Sequence, residues 1–425
     1  MEGYAMSGNS ITEKQNSKEK GKNSEEAGKN SSYGKRGIYS SITIENFRLF
    51  DHLELDDLAR VNLFFGPNNS GKTSILEAVF THACGLNFSP FFSQVVVNRR
   101  GGTIIGQLEL GELFMLVFRD RSSLPYKCTI SAKLVGDPLA HTVTSTFYPS
   151  SELSDLNPRT FGQFSEIPPS GYVSQFTADK IQIIDDQIAV QPTQTQATFL
   201  GKWKTQFDRE ELELDLSFPP SSMPAASHFK LGYMQDPLLH KDPNSERRVF
   251  SNLRRYEILD EFTEEMGLAF PGVRKIDLID YPDGERGLVY VWMRDQRLPL
   301  CLFGDGMRRW FHLVGHMLVY KDAIHCIDEV DAFFHPDARS QLSRLLVRYA
   351  ERFDDQLFLT SHSMEFADAF LEALYGENGM FAASSEDPVR VFTIKPSEDY
   401  KSLEIWKLTG REAYKNRSYY ELELR

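Results

Sequence analysis

An α/β fold with a mostly parallel core sheet is predicted by three features of the sequence. The apolar run 59–65 passes into the glycine-bearing segment Gly66–Thr73 and then into a stretch of helical periodicity. A second apolar run, 323–327, ends in the adjacent acids Asp328 and Glu329, and a third, 358–361, ends at His362. Short apolar runs without alternation are the pattern of strands buried on both faces.

The chain has 425 residues, 41% of them hydrophobic, and a formal net charge of −13. That suits two or three structural units around a sizeable core. The acidic balance argues against a protein that coats nucleic acid indiscriminately, and leaves a local basic groove open. Cys84, Cys128, Cys301 and Cys326 are scattered without a CxxC pair, which reads as reduced thiols of a cytoplasmic protein. No stretch approaches about 18 uninterrupted apolar residues, and no apolar segment opens the chain, so neither membrane insertion nor secretion is expected.

Residues 1–38 are polar, with almost no large apolar side chains, and read as a disordered tail. The core is expected to begin at 39–135. There, Ser41–Phe47 alternates as a strand, 53–55 repeats the pattern, and 59–65 leads into the glycine segment. Ile75, Leu76, Val79 and Phe80 then fall at helical spacing. Runs at 103–109, 112–118 and 127–134 predict an antiparallel β subdomain. The stretch 136–245, broken by clusters such as Pro219-Pro220, reads as an α-helical or irregular insertion of uncertain fold. The core resumes over 246–425, with helical signals at 245–268 and strands at 273–280 and 287–293 around a turn at Pro282-Asp283-Gly284.

Gly66, Pro67, Asn68, Asn69, Ser70, Gly71, Lys72 and Thr73 match GxxxxGK[ST] in full, with Ser74 next in the helix. Glycines let backbone N–H groups turn inward around phosphates, and the helix N-terminus adds partial positive charge. Lys72 can reach β- and γ-phosphates, and the Thr73 hydroxyl can ligate Mg²⁺, so ATP with Mg²⁺ is the expected ligand. At ordinary glycine content the bare pattern arises by chance in roughly one chain of this size in a hundred.

Asp328 is expected to hold the metal through water and Glu329 to polarise the attacking water. His362, at the end of the next strand, is a candidate γ-phosphate sensor, while His325 within its strand reads as a packing residue. Gly304, Asp305 and Gly306 open another helix and offer backbone N–H groups to an anion, or form no more than a tight turn.

Together these segments resemble the ABC-type AAA ATPases related to RecF, SMC heads and overcoming-lysogenization-defect proteins. The matching pieces are Ile44–Arg48, Gly66–Thr73, Leu298–Leu300 with Gly304–Arg309, Ile327–Asp331 with His335-Pro336, and Thr360–Ser363. The resemblance implies a P-loop NTPase head that dimerises around two ATP molecules. Lys72, Thr73, Asp328, Glu329 and His362 would come from one subunit and Gly304–Gly306 from the other. By analogy Phe47 or Arg48 lies near adenine or phosphates, and Asp331 in a loop crossing the dimer interface. The signature segment lacks the usual serine, and the glutamine that links nucleotide to partner is sought at Gln94 or Gln107. The 63 residues after His362 are too few for the nuclease domain of the overcoming-lysogenization-defect proteins, so any nuclease is expected in a separately encoded effector.

Two arginine rows, Arg247/Arg248/Arg254/Arg255 and Arg344/Arg348/Arg352, could track DNA phosphates. The favoured reading is a solvated helix face with ion pairs. Tyr256 and Tyr349 read as core. Three functions fit: a nucleotide-driven switch in phage defence or DNA maintenance, the energising subunit of a transporter, and a nucleotide-binding scaffold. Glu329 and the atypical signature favour the first.

Overall fold

The computed structural model describes residues 37–84, 95, 117–122, 126–137, 140–149, 170–184, 187–200, 230–280, 287–385, 387–396 and 403–420. The tail to residue 36, the run 103–109, the turn 282–284, Gln94 and Gln107 lie outside them.

In chain order the first elements are β1 (Tyr39–Phe47), β2 (Phe50–Leu55), β3 (Val61–Phe65), α1 (Lys72–Cys84), β4 (Tyr126–Leu134) and β5 (Ala140–Pro149). Next come β6 (Ser170–Ile184), β7 (Gln187–Leu200), β8 (Leu231–Gln235), α2 (Pro243–Arg255), α3 (Leu259–Ala269), β9 (Val273–Ile279), β10 (Leu288–Met293) and β11 (Gln296–Pro299). The chain continues with α4 (Asp305–Val319), β12 (Ala323–Ile327), α5 (Pro336–Arg352), β13 (Gln356–Ser361), α6 (Met364–Tyr375), β14 (Val389–Pro396), β15 (Leu403–Thr409) and α7 (Gly410–Tyr420).

The core sheet runs β15-β14-β3-β13-β12-β8. Its five strands from β14 to β8 are parallel, and β15 pairs antiparallel at the edge. Every residue of β3, β12 and β13 is buried, because each face of the sheet meets its own core. Val61, Leu63 and Phe65 join α2–α6 on one side. Phe64, Cys326 and Phe358 join α1 and the antiparallel sheet β2-β1-β4-β5-β6-β7 on the other. This is the P-loop head expected from the resemblance.

The described residues of 136–245 correct the expectation of a helical or irregular insertion, because they are mostly strands. β5, β6 and β7 pair along their lengths and extend the antiparallel sheet, while β8 joins the core sheet beside β12. The helical stretch 245–268 is two helices, separated where Glu257 takes φ 58°. Asp242 caps α2, accepting from Asn244 N at 2.9 Å, with Pro243 in the first turn. A third sheet, β11-β10-β9, is an antiparallel meander whose Ile276, Val289 and Val291 face the helices.

Candidate active site

The parallel strands all point their C-terminal ends one way, so β3, β8, β12 and β13 deliver Gly66, Gln235, Asp328 and His362 to a single edge. The loop after β3 lies close against β14 and β2, which leaves no room for side chains at its two glycines. A Cβ on Gly66 would collide with Ile394 O, and one on Gly71 would lie 2.9 Å from the Phe50 ring. Gly71 takes φ 90° and Asn69 φ 62°, a region glycine and asparagine tolerate. Pro67, Asn68 and Asn69 are exposed, whereas Ser70 and Ser74 are buried.

Lys72 opens α1 and curls into the loop, donating to Gly66 O at 2.9 Å and Pro67 O at 2.7 Å. A cation held inside a ring of main-chain groups suits an anionic ligand there. Burial pushes the Lys72 pKa down, and the charges of Asp328 and Glu329 pull against that shift.

Thr73 Oγ1 donates to Asp328 Oδ2 at 2.9 Å, and Thr360 Oγ1 donates to Asp328 Oδ1 at 2.5 Å. Glu329 follows, half-buried, with φ 45° and its N–H donating to Thr360 Oγ1 at 2.8 Å. A non-glycine residue in that conformation costs about 1–3 kcal/mol and is found where surrounding structure enforces it. Gln235 is 1% exposed, and neither atom of its amide has a partner among the described residues. Its main chain abuts the same acidic residue, since Asp328 N donates to Gln235 O at 3.0 Å.

The hydroxyl, carboxylate and amide oxygens gathered here suit a hard divalent cation such as Mg²⁺. Among the described residues no group of three or more His, Cys, Asp or Glu could hold a metal. Such a cation would fill its remaining positions with water or substrate oxygens.

His362 is exposed just beyond β13, next to Ser363, which caps α6 by accepting from Phe366 N at 3.1 Å. Among the described residues no hydrogen bond or ion pair joins Gly304–Gly306 to 66–74. Gly304 precedes α4, and a Cβ placed on it would meet nothing within 4 Å, whereas Gly306 packs on Phe333 O. Asp305 lies 3.4 Å from His240 Nε2 and 3.7 Å from Arg308 Nη1.

Phe47 is fully buried in the core, and Arg48 pairs with Glu77 of α1 at 3.2 Å and donates to Val95 O at 2.6 Å. The arginine row on α5 is largely paired: Arg348 and Arg352 meet Glu265 and Glu261 of α3, and Arg344 donates to Asn378 O. Tyr349 is core, as expected. Tyr256 is not: it ends α2 facing outward and is 55% exposed. His325 is a packing residue, stacked on Tyr233 and bonded to Tyr320 O at 3.0 Å.

Two family models match the chain: "AAA ATPase domain" over residues 39–93, and "AAA domain, putative AbiEii toxin, Type IV TA system" over residues 194–368. Over both segments the chain is similar to AAA-type ATPases. An "ATP/GTP phosphatase" of Helicobacter pylori is 19% identical over 372 residues, covering 85% of this chain and 93% of that protein. The DNA replication and repair protein RecF of Shewanella woodyi is 38% identical over 71 residues, which are 16% of this chain and 20% of RecF. A crystal structure of an SMC head bound to the C-winged helix domain of ScpA aligns over 88% of this chain and 98% of that one. Its identity is 13% and its TM-score 0.45. No helix among the described residues is long and apolar enough to cross a membrane.

Three residues of the site are not singled out by sequence reasoning. Gln235 lies in the irregular 136–245 stretch. Thr360 is part of a matched segment, with no role read from it. Arg309 differs from Arg308 only in burial. Its side chain is fully buried and donates to Asp236 O at 2.5 Å and Asp328 O at 3.0 Å. Burial lowers its pKa to about 10, against the pull of Asp236, Asp328, Glu329 and Asp331.

Proposed function

We propose that this protein binds Mg·ATP on Gly66–Ser74 and hydrolyses it. The observation that carries the reading is the 2.9 Å bond from Thr73 to Asp328, which joins the phosphate-loop helix to the acid-bearing strand. Main-chain N–H groups of the loop and Lys72 would hold the phosphates, while Thr73, Asp328 and Gln235 would hold the cation. The cation would neutralise phosphate charge. Glu329, held in place through its own N–H by Thr360, would accept the proton of the attacking water, and His362 would meet the γ-phosphate from the rim. The name of the Helicobacter relative supports hydrolysis.

The finer reading is a switch in which two heads close head-to-tail on ATP, with Gly304–Gly306 of one facing the loop of the other. Support comes from the open N-terminus of α4 and from exposed apolar side chains, Leu302 and Phe333, close to it in the chain or in packing. The matched toxin-family description and the RecF name support a setting in phage defence or DNA maintenance with a separately encoded effector.

Phosphate release from Mg·ATP by wild type and by Glu329→Gln tests the proposal. Loss of a positioned base is expected to slow turnover about 10²–10⁴-fold while ATP binding persists. Equal turnover by the two proteins would sink the assignment of Glu329, and no ATP binding at millimolar levels would sink the whole reading.

A further inference from the structure

We infer that Arg309 is a positioning residue for the ATPase reaction, locking the strand ends that carry Gln235 and Asp328 to the helix that Gly304–Gly306 open. The inference rests on the ATPase reading above.

The geometry is a three-way tie. Arg309 extends from α4 and donates from Nη1 to Asp236 O at 2.5 Å and from Nη2 to Asp328 O at 3.0 Å. Asp236 directly follows β8 and Asp328 directly follows β12, and the two strand ends are themselves joined by Asp328 N to Gln235 O at 3.0 Å. One guanidinium thus fixes two neighbouring strand ends to one helix.

It does so through main-chain carbonyls. Both carboxylate oxygens of Asp328 remain for Thr73 and Thr360. If the position required packing alone, an apolar side chain like its neighbours Trp310 and Leu313 would avoid burying a charge. Here the charge lies among Asp236, Asp328, Glu329 and Asp331, and relieves the repulsion of acids gathered at the strand ends. The rigid planar fork matters as much as the charge, because it holds two donor nitrogens in one fixed plane, whereas a lysine offers a single nitrogen on a flexible stem. Gly304 and Gly306 begin the same helix one turn earlier, so a partner pressing on that turn would act on Asp328 through a buried, inextensible link.

The test compares Arg309→Lys with Lys230→Met, a second fully buried cation at the opposite end of the same strands. Hydrogen exchange on nucleotide-free protein reads the link without turnover, and steady-state ATP hydrolysis reads its consequence. In Arg309→Lys, amides of 235–241 and 328–331 are expected to exchange about tenfold faster. Its kcat is expected to fall about tenfold to a hundredfold, with KM for ATP within about threefold of wild type. Lys230→Met is expected to lower the thermal midpoint and leave kcat of the folded protein unchanged. Arg309→Gln, read by the same two measurements, replaces the lysine variant if that one does not fold. Wild-type exchange or wild-type kcat in the Arg309 variant overturns the inference. A wild-type protein that turns over no ATP overturns the ATPase reading instead, whatever the exchange data show.

Discussion

The two ends of the parallel strands are built on opposite principles. At the N-terminal end, polar groups largely answer one another. Lys230 is fully buried between Asp322 at 2.5 Å and Asp354 at 3.1 Å, Arg60 donates to Ala350 O, Asp355 O and Asp354 Oδ1, and Gln356 binds both Tyr39 N and Tyr39 O. At the C-terminal end, Ser70 Oγ, both amide atoms of Gln235, Asp331 Oδ1 and Arg309 Nε are buried without partners among the described residues. An unmet buried polar group costs about 1–3 kcal/mol. The far end therefore stabilises the sheet, and the site end holds donors and acceptors in reserve for a ligand.

Substitutions at the two ends should part company accordingly. After the turnover loss of Glu329→Gln, the largest effect is expected from Lys72→Ala, with ATP binding about tenfold to a hundredfold weaker by titration, because a charge-assisted contact to phosphate is lost. The fold should tolerate it, since the Lys72 hydrogen bonds go to its own loop. A large drop in thermal midpoint would break the contrast. Thr360→Val comes next. It removes the donor to Asp328 and the acceptor for Glu329 N–H, so turnover should fall about tenfold and stability by about 1–3 kcal/mol in denaturant. At the far end, Lys230→Met should cost stability alone, about 2 kcal/mol by denaturant midpoint, the modest figure reflecting an Asp322 that is nearly half exposed.

The smallest effect concerns pH. Burial pushes the Asp354 carboxyl up, but hydrogen bonds and charges from Lys230 and Arg60 outweigh it, leaving the pKa below its ordinary 3.8. With the folded value depressed, the stabilisation is present above about pH 4 and is lost as pH falls through the folded value. Lys230→Met should therefore shallow the fall in thermal midpoint between about pH 5 and pH 3. An unchanged acid limb would detach Asp354 from the clasp.

How far the site could be read in advance follows the same division. Gly66–Thr73 and Asp328-Glu329 are contiguous in sequence, and each carries its chemistry in local spacing. Gln235 is one glutamine in an irregular stretch, and it gains meaning from β8 lying beside β12. Arg308 and Arg309 look alike as letters, yet one meets Glu246 at 3.0 Å and the other reaches two strand ends. That Phe47 is buried in the core and Arg48 pairs with Glu77 of α1 follows from the turn between β1 and β2, which no local pattern records.

By itself, the sequence determined the glycine loop Gly66–Thr73 between strand and helix, the acids at a strand end and the α/β character of the core, since these depend on backbone conformation and burial over a few consecutive residues. Only the tertiary structure decided which strand neighbours which, and hence that Thr73 meets Asp328, that Gln235 is left unpartnered beside them and that Arg309 ties the signature helix to both. Strand order is chosen by packing between segments far apart in the chain, where the energy of a contact depends on residues that local spacing does not link.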